Sequence, residues 1–169
     1  MSFVISQPDS EKEYKRYYHL RWKILRAPWN QPEGSEIDDI EEQCFHLMAV
    51  DDKNKVIAVA RLQYNSDTEA QIRYMAVAGE YERQGIGREL VKTLEQHAQN
   101  SSCKKIVLDA REPATGFYQK LGYRVIEKSY LLFDEIQHFR MIKKLSTQMV
   151  VPAHPCAHDI SAIHARHRS

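Results

Sequence analysis

The sequence predicts an α/β (α+β) domain with a mixed, mostly antiparallel sheet, and three observations carry this prediction. Apolar segments separated by short turns come first, as in consecutive hairpins. A further strand then runs into a loop with two glycines that opens directly into a helix. A strand, a helix and two more strands follow, with no second glycine loop and no internal repeat. A doubly wound parallel sheet is therefore not expected.

The amino-terminal segment predicts one strand and one helix. The apolar residues 3–5 form the strand, and a capping serine followed by two acids marks a helix start at Ser10. The helix continues to Leu25, and residues 27–34 then break the pattern with two prolines and a glycine. Four residues are predicted to share its core face: Tyr14, Tyr18, Trp22 and Leu25.

The remaining elements follow from alternation, turn residues and helix boundary signals. Strands are predicted over 45–51, 56–64, 69–77, 105–109, 124–132 and 138–143. A second helix is predicted over 112–121, because Pro113 suits its first turn and Gly122 suits the position after its end. The helix after the glycine loop acts as a crossover, which makes strands 69–77 and 105–109 parallel neighbours.

The loop over residues 78–88 has the character of an anion site. Gly85 and Gly87 allow positive φ and close approach of a ligand to the backbone. The helix that follows exposes unpaired N–H groups and the positive end of its dipole. A P-loop needs four residues between its glycines and a Lys-Ser/Thr pair, and a dinucleotide fingerprint needs glycine where Leu90 stands. Neither pattern is present.

Two motifs resemble those of the GNAT superfamily of N-acetyltransferases. Gln84-Gly85-Ile86-Gly87 after Tyr-Met-Ala-Val (residues 74–77) is similar to its central acetyl-coenzyme A motif, and residues 114–123 are similar to its Ala-x-x-Phe-Tyr-x-x-x-Gly-Phe signature, with Tyr123 as the last residue. The resemblance covers about residues 3–144. It implies the GNAT fold, a six- to seven-stranded sheet flanked by helices and splayed at the acetyl-coenzyme A site.

The same resemblance implies the residues that bind acetyl-coenzyme A as co-substrate. The backbone of Met75, Ala76 and Val77 is expected to bond to pantetheine. Six residues are expected to hold the pyrophosphate: Arg83, Gln84, Gly85, Ile86, Gly87 and Arg88. The implied reaction is direct attack of a primary amine on the thioester, with Tyr118 as the general acid that protonates the departing thiolate.

The sequence does not identify a general base. Many relatives carry a glutamate at the position of Gln71, which cannot accept a proton. Glu69, His46 and the acidic residues around 36–39 are alternatives on chemical grounds, and a water chain without a dedicated base is another. His46 on a strand is more often a satisfied sheet residue than a base.

Two further positions depart from the family pattern. Glu82 stands where glutamine or arginine is common, and its side chain is expected to point to solvent because a carboxylate repels a pyrophosphate. Arg111 stands where many relatives place asparagine; an arginine there can still reach pantetheine or phosphate, but the role of the asparagine does not transfer. Arg73 is expected to face the side of its strand opposite to Tyr74, where it pairs with a carboxylate or holds an anionic group of the substrate.

Residues 17–32 resemble the acetyltransferase half of bacterial proteins that also carry a hotdog thioesterase domain. Only about 25 residues follow the last strand, so that second domain is not expected here. In the family this segment walls the acceptor site. The candidate substrate-binding residues are Arg21, Arg26, Trp29 and Arg73. The acidic patch between Glu33 and Glu42 either attracts a cationic amine or is a solvated face.

Composition excludes several other classes. The chain of 169 residues, 43% of them apolar, fits one domain over 1–145 with a His-rich tail over 146–169. A net charge of +1 and the lack of a long apolar run or signal peptide predict a cytoplasmic protein without nucleic-acid or membrane partners. The tail carries four histidines, but Pro152 and Pro155 disfavour a helical ligand pair, and no metal is expected. A homodimer is compatible with the resemblance.

The alternative function is a non-enzymatic module that binds or senses acyl-coenzyme A, or serves a thioesterase partner. The lack of an obvious base favours this alternative, and Tyr118 at the expected position favours the enzyme.

Overall fold

A computed structural model describes residues 2–146 of the chain. Its strands are β1 (Phe3–Ser6), β2 (Phe45–Asp51), β3 (Val56–Tyr64), β4 (Glu69–Val77), β5 (Lys105–Arg111), β6 (Arg124–Leu132) and β7 (Ile136–Lys144). Its α-helices are α1 (Glu11–Leu25), α2 (Ile86–Asn100) and α3 (Thr115–Lys120). The predicted tail lies almost wholly outside the described residues.

The strands form one open sheet in the order β1-β2-β3-β4-β5-β7-β6. Within the described chain, β4 and β5 are the one parallel pair and every other neighbouring pair is antiparallel. The predicted mixed, mostly antiparallel fold is confirmed. Strand β5 runs two residues further than predicted, to Arg111, and the predicted helix over 112–121 divides into a 3-10 turn and α3.

The sheet splits where the two parallel strands diverge. Strands β4 and β5 pair only from Glu69–Ile72 to Lys105–Leu108. The register between β3 and β4 shifts at the same level, and Tyr74 has a positive φ of 52°. Such a bulge bends the strand and leaves backbone groups unpaired. A gap therefore opens between residues 73–77 of β4 and the end of β5.

Each face of the sheet carries its own apolar cluster. Helix α2 buries Leu90, Val91 and Leu94 on one face, and α1 buries Tyr17 and Leu20 on the other. Burial of this apolar surface is the main force that fixes both helices on the sheet. Within the described residues, no helix is both long and apolar enough to cross a membrane.

The predicted core face of α1 needs a correction. Ser10 caps the helix as expected, since its Oγ accepts a hydrogen bond from the Glu13 amide at 3.2 Å. The buried residues, however, are Tyr17, Leu20, Arg21 and Leu25, whereas Tyr14, Tyr18 and Trp22 are only partly covered. The buried stripe contains an arginine because distant carboxylates neutralise it, which helical spacing alone cannot predict.

Candidate active site

The glycine loop leaves a row of backbone donors open. After a 3-10 turn at Gly79–Tyr81, Arg83 and Gly85 adopt left-handed φ values of 60° and 83°. Within the described part of the chain, the N–H groups of residues 83–88 donate no hydrogen bond to the protein. Residues 83–85 are exposed. Successive unpaired amides at a helix start attract an anion.

The two residues at the start of α2 also hold the loop in place. Ile86 is buried in the core. A Cβ atom added at Gly87 would lie 3.1 Å from Met75 Cε and 3.2 Å from Phe117 Cζ, so the absence of a side chain lets β4 and α3 pack closely here. Arg83 takes part in no ion pair within residues 2–146, and the same holds for Arg88.

A cavity of about 340 Å³ occupies the gap between the diverging strands. Its walls come from the end of α1, from residues 71–77 of β4 and from residues 108–111 of β5, and they include Met75, Ala76 and Val77. Glu82 is exposed, as expected, and also lines the rim. A site of this size accommodates a small ligand or the reactive end of a larger one. A larger cavity of about 850 Å³ lies against the outer side of α1. Its lining contains none of the predicted cofactor-binding, catalytic or substrate-binding residues, and of the alternatives for the base it contains only Glu36.

The side chain of Tyr118 reaches this cavity from α3 and is 8% exposed. Burial raises the pKa of its phenol, so the group keeps its proton at neutral pH. The hydroxyl donates to the thioether of Met75 at 3.4 Å, and a thioether is a weak acceptor. Tyr118 therefore has a proton that a stronger acceptor, such as a thiolate, can take.

The predicted alternatives for the base occupy different places. Gln71 lines the cavity and its amide lies 3.4 Å from the Asp109 carboxylate. Glu69 pairs with Lys105 at 3.1 Å, outside the cavity lining. His46 is buried on the other face, with its ring nitrogens 2.9 Å from the Tyr17 hydroxyl and 2.8 Å from the Glu41 carbonyl oxygen. His46 is thus a satisfied sheet residue.

Two cavity residues escaped the sequence reasoning. His138 of β7 lines the cavity, stands opposite Arg111 in the β5–β7 register and stacks on Tyr130 at 4.3 Å. Burial lowers the pKa of His138, so its ring is neutral at pH 7. Asp109 of β5 also lines the cavity and accepts from Arg140 at 2.8 Å. Asp109 lies near the end of β5 and His138 near the start of β7. Their positions in the sequence could have indicated the cavity only if the pairing of β5 with β7 had been known.

The acidic patch divides into buried and exposed members. Asp38 binds both terminal nitrogens of Arg61 at 2.8 and 2.9 Å. The Glu41 carboxylate lies 2.7 Å from Arg21 and 2.8 Å from Arg61. Glu36 is buried, whereas three members are exposed: Glu33, Asp39 and Glu42. The patch is therefore not one solvated face, because Asp38 and Glu41 neutralise buried arginines.

Arg21 was predicted as a substrate contact, and the structure corrects this prediction. Its side chain is fully buried, donates to Glu41 and Tyr17, and is absent from the cavity lining. Arg21 packs against the Tyr74 ring on the side away from the cavity and does not contact the cavity itself.

The expected orientation of Arg73 is also wrong. Arg73 and Tyr74 both line the cavity, and the Arg73 guanidinium carbon lies 4.9 Å from the centre of the Tyr74 ring. The positive φ of Tyr74 breaks the alternation of side chains along β4. The expected carboxylate partner is not found either, since Arg73 makes no ion pair in the described residues.

The other predicted acceptor residues lie at the same end of the cavity. Arg26 lines it, and Trp29 stands just behind, with the guanidinium carbon of Arg111 4.6 Å from its ring centre. Phe133 joins the two, since it stacks on Trp29 at 6.2 Å and lies 5.6 Å from the Arg26 guanidinium carbon. The structure thus brings Arg26, Arg73 and Arg111 to one end of the cavity.

No group of three or more potential metal ligands occurs among the residues the structure describes. The histidines of the tail, including His154 and His158, lie outside those residues.

Comparisons with known proteins identify the family and the fold. The sequence model of the acetyltransferase (GNAT) family matches residues 14–123. An uncharacterised N-acetyltransferase of Bacillus subtilis, YjcF, is 27% identical over 143 residues, which span 85% of this chain and 99% of that protein. An acyl-coenzyme A N-acyltransferase from Pseudomonas aeruginosa superposes with a TM-score of 0.70 at 21% identity, over 84% of this chain and 98% of its own. An aminoglycoside 6'-N-acetyltransferase complexed with coenzyme A also superposes with a TM-score of 0.70, at 17% identity, over 83% of this chain and 96% of its own.

Proposed function

Because this chain belongs to the GNAT family of acetyltransferases, we propose that it transfers an acetyl group from acetyl-coenzyme A to a primary amine. The observation that carries the proposal is the row of unpaired amides over residues 83–88, next to a gap in the sheet that contains the Tyr118 hydroxyl. An anion-binding loop and a proton donor beside one narrow cavity are what an acyl thioester with a diphosphate tail requires.

The residues present fit acetyl-coenzyme A. The amides over 83–88 would hold its diphosphate, with Arg83 and Arg88 adding charge. The unpaired edge of Met75, Ala76 and Val77 offers backbone donors and acceptors to the amide groups of pantetheine. Packing around Gly87 keeps this loop and the edge of β4 in register.

The reaction needs a group that protonates the departing thiolate and a route by which the amine loses its proton. The neutral amine attacks the thioester carbonyl carbon, the new C–N bond forms and the C–S bond breaks. The departing thiolate takes the phenolic proton of Tyr118, and the amine gives up a proton that leaves through water. Solvent then returns one proton to the Tyr118 oxygen, which restores the enzyme. General acid catalysis of this kind contributes about 10²–10⁴ in rate.

The cavity also favours the neutral form of the acceptor. An ordinary lysine-type amine has a pKa near ~10.4, so few molecules are neutral at pH 7. The positive charges of Arg26, Arg73 and Arg111 disfavour an ammonium ion nearby and lower the pKa of a bound amine. This effect replaces part of the work of the missing glutamate. Asp109 and His138 offer polar atoms along which water can carry the proton away.

A thiol-release assay with acetyl-coenzyme A and a panel of amines, amino acids and peptide amino termini tests the proposal. We expect amine-dependent release of free coenzyme A and a matching acetylated product by mass spectrometry. Saturable binding without release for every acceptor would instead support the sensing module. The homodimer, the cytoplasmic location and the likeness to thioesterase fusions stay predictions.

A further inference from the structure

We propose that the acceptor amine also carries an oxyanion group, a carboxylate or a phosphate, which Arg73 and Arg111 hold with the support of Arg26. This inference rests on the proposed function and specifies its substrate class. It starts from three guanidinium groups at one end of the cavity, none of which forms an ion pair with any residue between 2 and 146.

The placement of the three side chains makes them one group. The guanidinium carbons of Arg73 and Arg26 lie 4.9 and 5.6 Å from the centre of the same Tyr74 ring. Arg111 reaches the group by stacking on Trp29 at 4.6 Å. Aromatic faces hold a guanidinium group in a fixed plane, and a fixed planar fork suits bidentate binding of an oxyanion.

The donors of this group are largely unused. In the portion of the chain that the structure covers, the guanidinium groups of Arg73 and Arg111 make neither a hydrogen bond nor an ion pair. Arg26 gives two donors to the carbonyl oxygens of Ser35 and Leu25 and makes no ion pair. Both side chains are only partly buried, so these unused donors stay accessible from the cavity and available to an anionic ligand.

The local electrostatics favour the binding of an anion between these arginines. Burial, and then the charge of Arg26, lower the pKa of the Arg111 guanidinium. The acidic groups near the cavity are already occupied or lie at its rim: Asp109 binds Arg140, Asp38 binds Arg61, and Glu82 is exposed. Asp38 interacts with Arg73 only through space while it binds Arg61 directly, so an anionic group between the arginines would still relieve repulsion between Arg26 and Arg111.

The two ends of the cavity then have different tasks. Residues 83–88 follow Glu82 at the cavity rim and do not line the cavity themselves; there they would attract the diphosphate of the cofactor. The arginines would attract the anionic group of the acceptor near the end of α1. The acceptor's amine would extend from the arginines toward the thioester and Tyr118. The competing assignment is that these arginines also hold phosphates of coenzyme A.

Matched acceptor pairs test the substrate class. Each pair shares its amine and differs in the anion: an α-amino acid against its amino alcohol, and an aminoalkyl phosphate against the alkylamine. We expect kcat/KM to favour one anionic member by about tenfold to a hundredfold, since hydrogen bonds to charged groups are the stronger ones. The two pairs distinguish carboxylate from phosphate. Equal kcat/KM within both pairs overturns the inference while acetyl transfer itself stands.

Variants assign the preference to these side chains. Arg73→Gln and Arg111→Gln should each raise KM for the anionic acceptor by about tenfold. The uncharged partner should lose less, because it loses only the effect of the arginine charge on its amine. Arg124→Gln, an exposed position on β6, removes the same charge away from the cavity and should change neither. If acetyl-coenzyme A binding weakens instead, with the acceptor preference intact, the arginines hold the cofactor and the inference is wrong.

A binding measurement separates this inference from the proposed function. Calorimetry of the coenzyme A-loaded protein with the same two matched pairs needs no turnover. Tighter binding of the anionic member of either pair, lost in Arg73→Gln, supports the anion site even if no acetyl transfer occurs. Equal or undetectable binding within both pairs contradicts it.

Discussion

Two sets of arginines surround the Tyr74 ring. One set stabilises the fold behind the site, and the other faces the cavity. Arg21 and Arg61 lie 4.5 and 4.7 Å from the ring centre, are fully buried and bind carboxylates. Arg73 and Arg26 approach the same ring from the cavity and, among the described residues, have no carboxylate partner. All four residues are arginines, so the presence or absence of a carboxylate partner is what distinguishes the supporting pair from the pair proposed to bind substrate.

The buried pair is costly to disturb because a charge without a partner is poorly solvated in the interior. Glu41 alone contacts both Arg21 and Arg61, and Asp38 adds a bidentate contact to Arg61. These contacts tie the segment after α1 to β3, directly behind the bulge at Tyr74. The stability of the site's back wall therefore depends on two acids from the patch.

The largest effect should follow from removal of the shared carboxylate. Glu41→Gln leaves two buried guanidinium groups undercompensated and should lower the free energy of unfolding by about 3–5 kcal/mol. Urea unfolding at pH 7 measures the loss. Glu42→Gln, at the exposed neighbouring position, should stay within about 0.5 kcal/mol of the parent. Equal losses in both variants would contradict the division of the patch.

The next largest effect concerns Tyr118, which lines the cavity. Tyr118→Phe removes the proton donor and should reduce kcat by about tenfold or more, with little change in acetyl-coenzyme A affinity. Steady-state kinetics and calorimetry give both quantities. Tyr123→Phe is the matched control, because Tyr123 is buried beside Tyr118 but does not line the cavity. Unchanged kcat in Tyr118→Phe would remove this tyrosine from the mechanism.

The two arginine sets should also separate in stability. Arg61→Gln breaks buried ion pairs and should destabilise the protein strongly, whereas Arg73→Gln should change the free energy of unfolding by about 0.5 kcal/mol or less. Thermal and urea unfolding of the two variants provide the comparison. A loss in Arg73→Gln as large as in Arg61→Gln would show that Arg73 belongs to the supporting set.

The smallest effect is a pH dependence. The hydrogen bonds from Arg61 hold the pKa of Asp38 below its ordinary value of 3.8. The stability from this pair is therefore fully present above that value and decreases as the pH falls through the lower folded-state pKa. Asp38→Asn should weaken this acid-sensitive part of the unfolding curve. Asp39→Asn, at an exposed position, should retain the parent's profile; identical profiles for both variants would speak against the Asp38 pair.

Local patterns sufficed for the elements and for the loop. The cap at Ser10, the glycines at 85 and 87 and the parallel pairing of β4 with β5 depend on neighbours in sequence or on chain connectivity. The burial of Arg21 and the turn of Arg73 toward the cavity could not be predicted this way. The burial of Arg21 depends on its distant partner Glu41, and the orientation of Arg73 depends on the bulge at Tyr74. Spacing along the sequence predicts neither feature.

The central claim is that exposed amides over residues 83–88 bind a diphosphate. Calorimetric titration with coenzyme A and, in parallel, with pantetheine, which lacks the diphosphate, tests it most directly. The account predicts saturable binding of coenzyme A at one site per chain and binding of pantetheine weaker by about tenfold or more. Absence of saturable heat with coenzyme A, or equal affinity for both compounds, would contradict it.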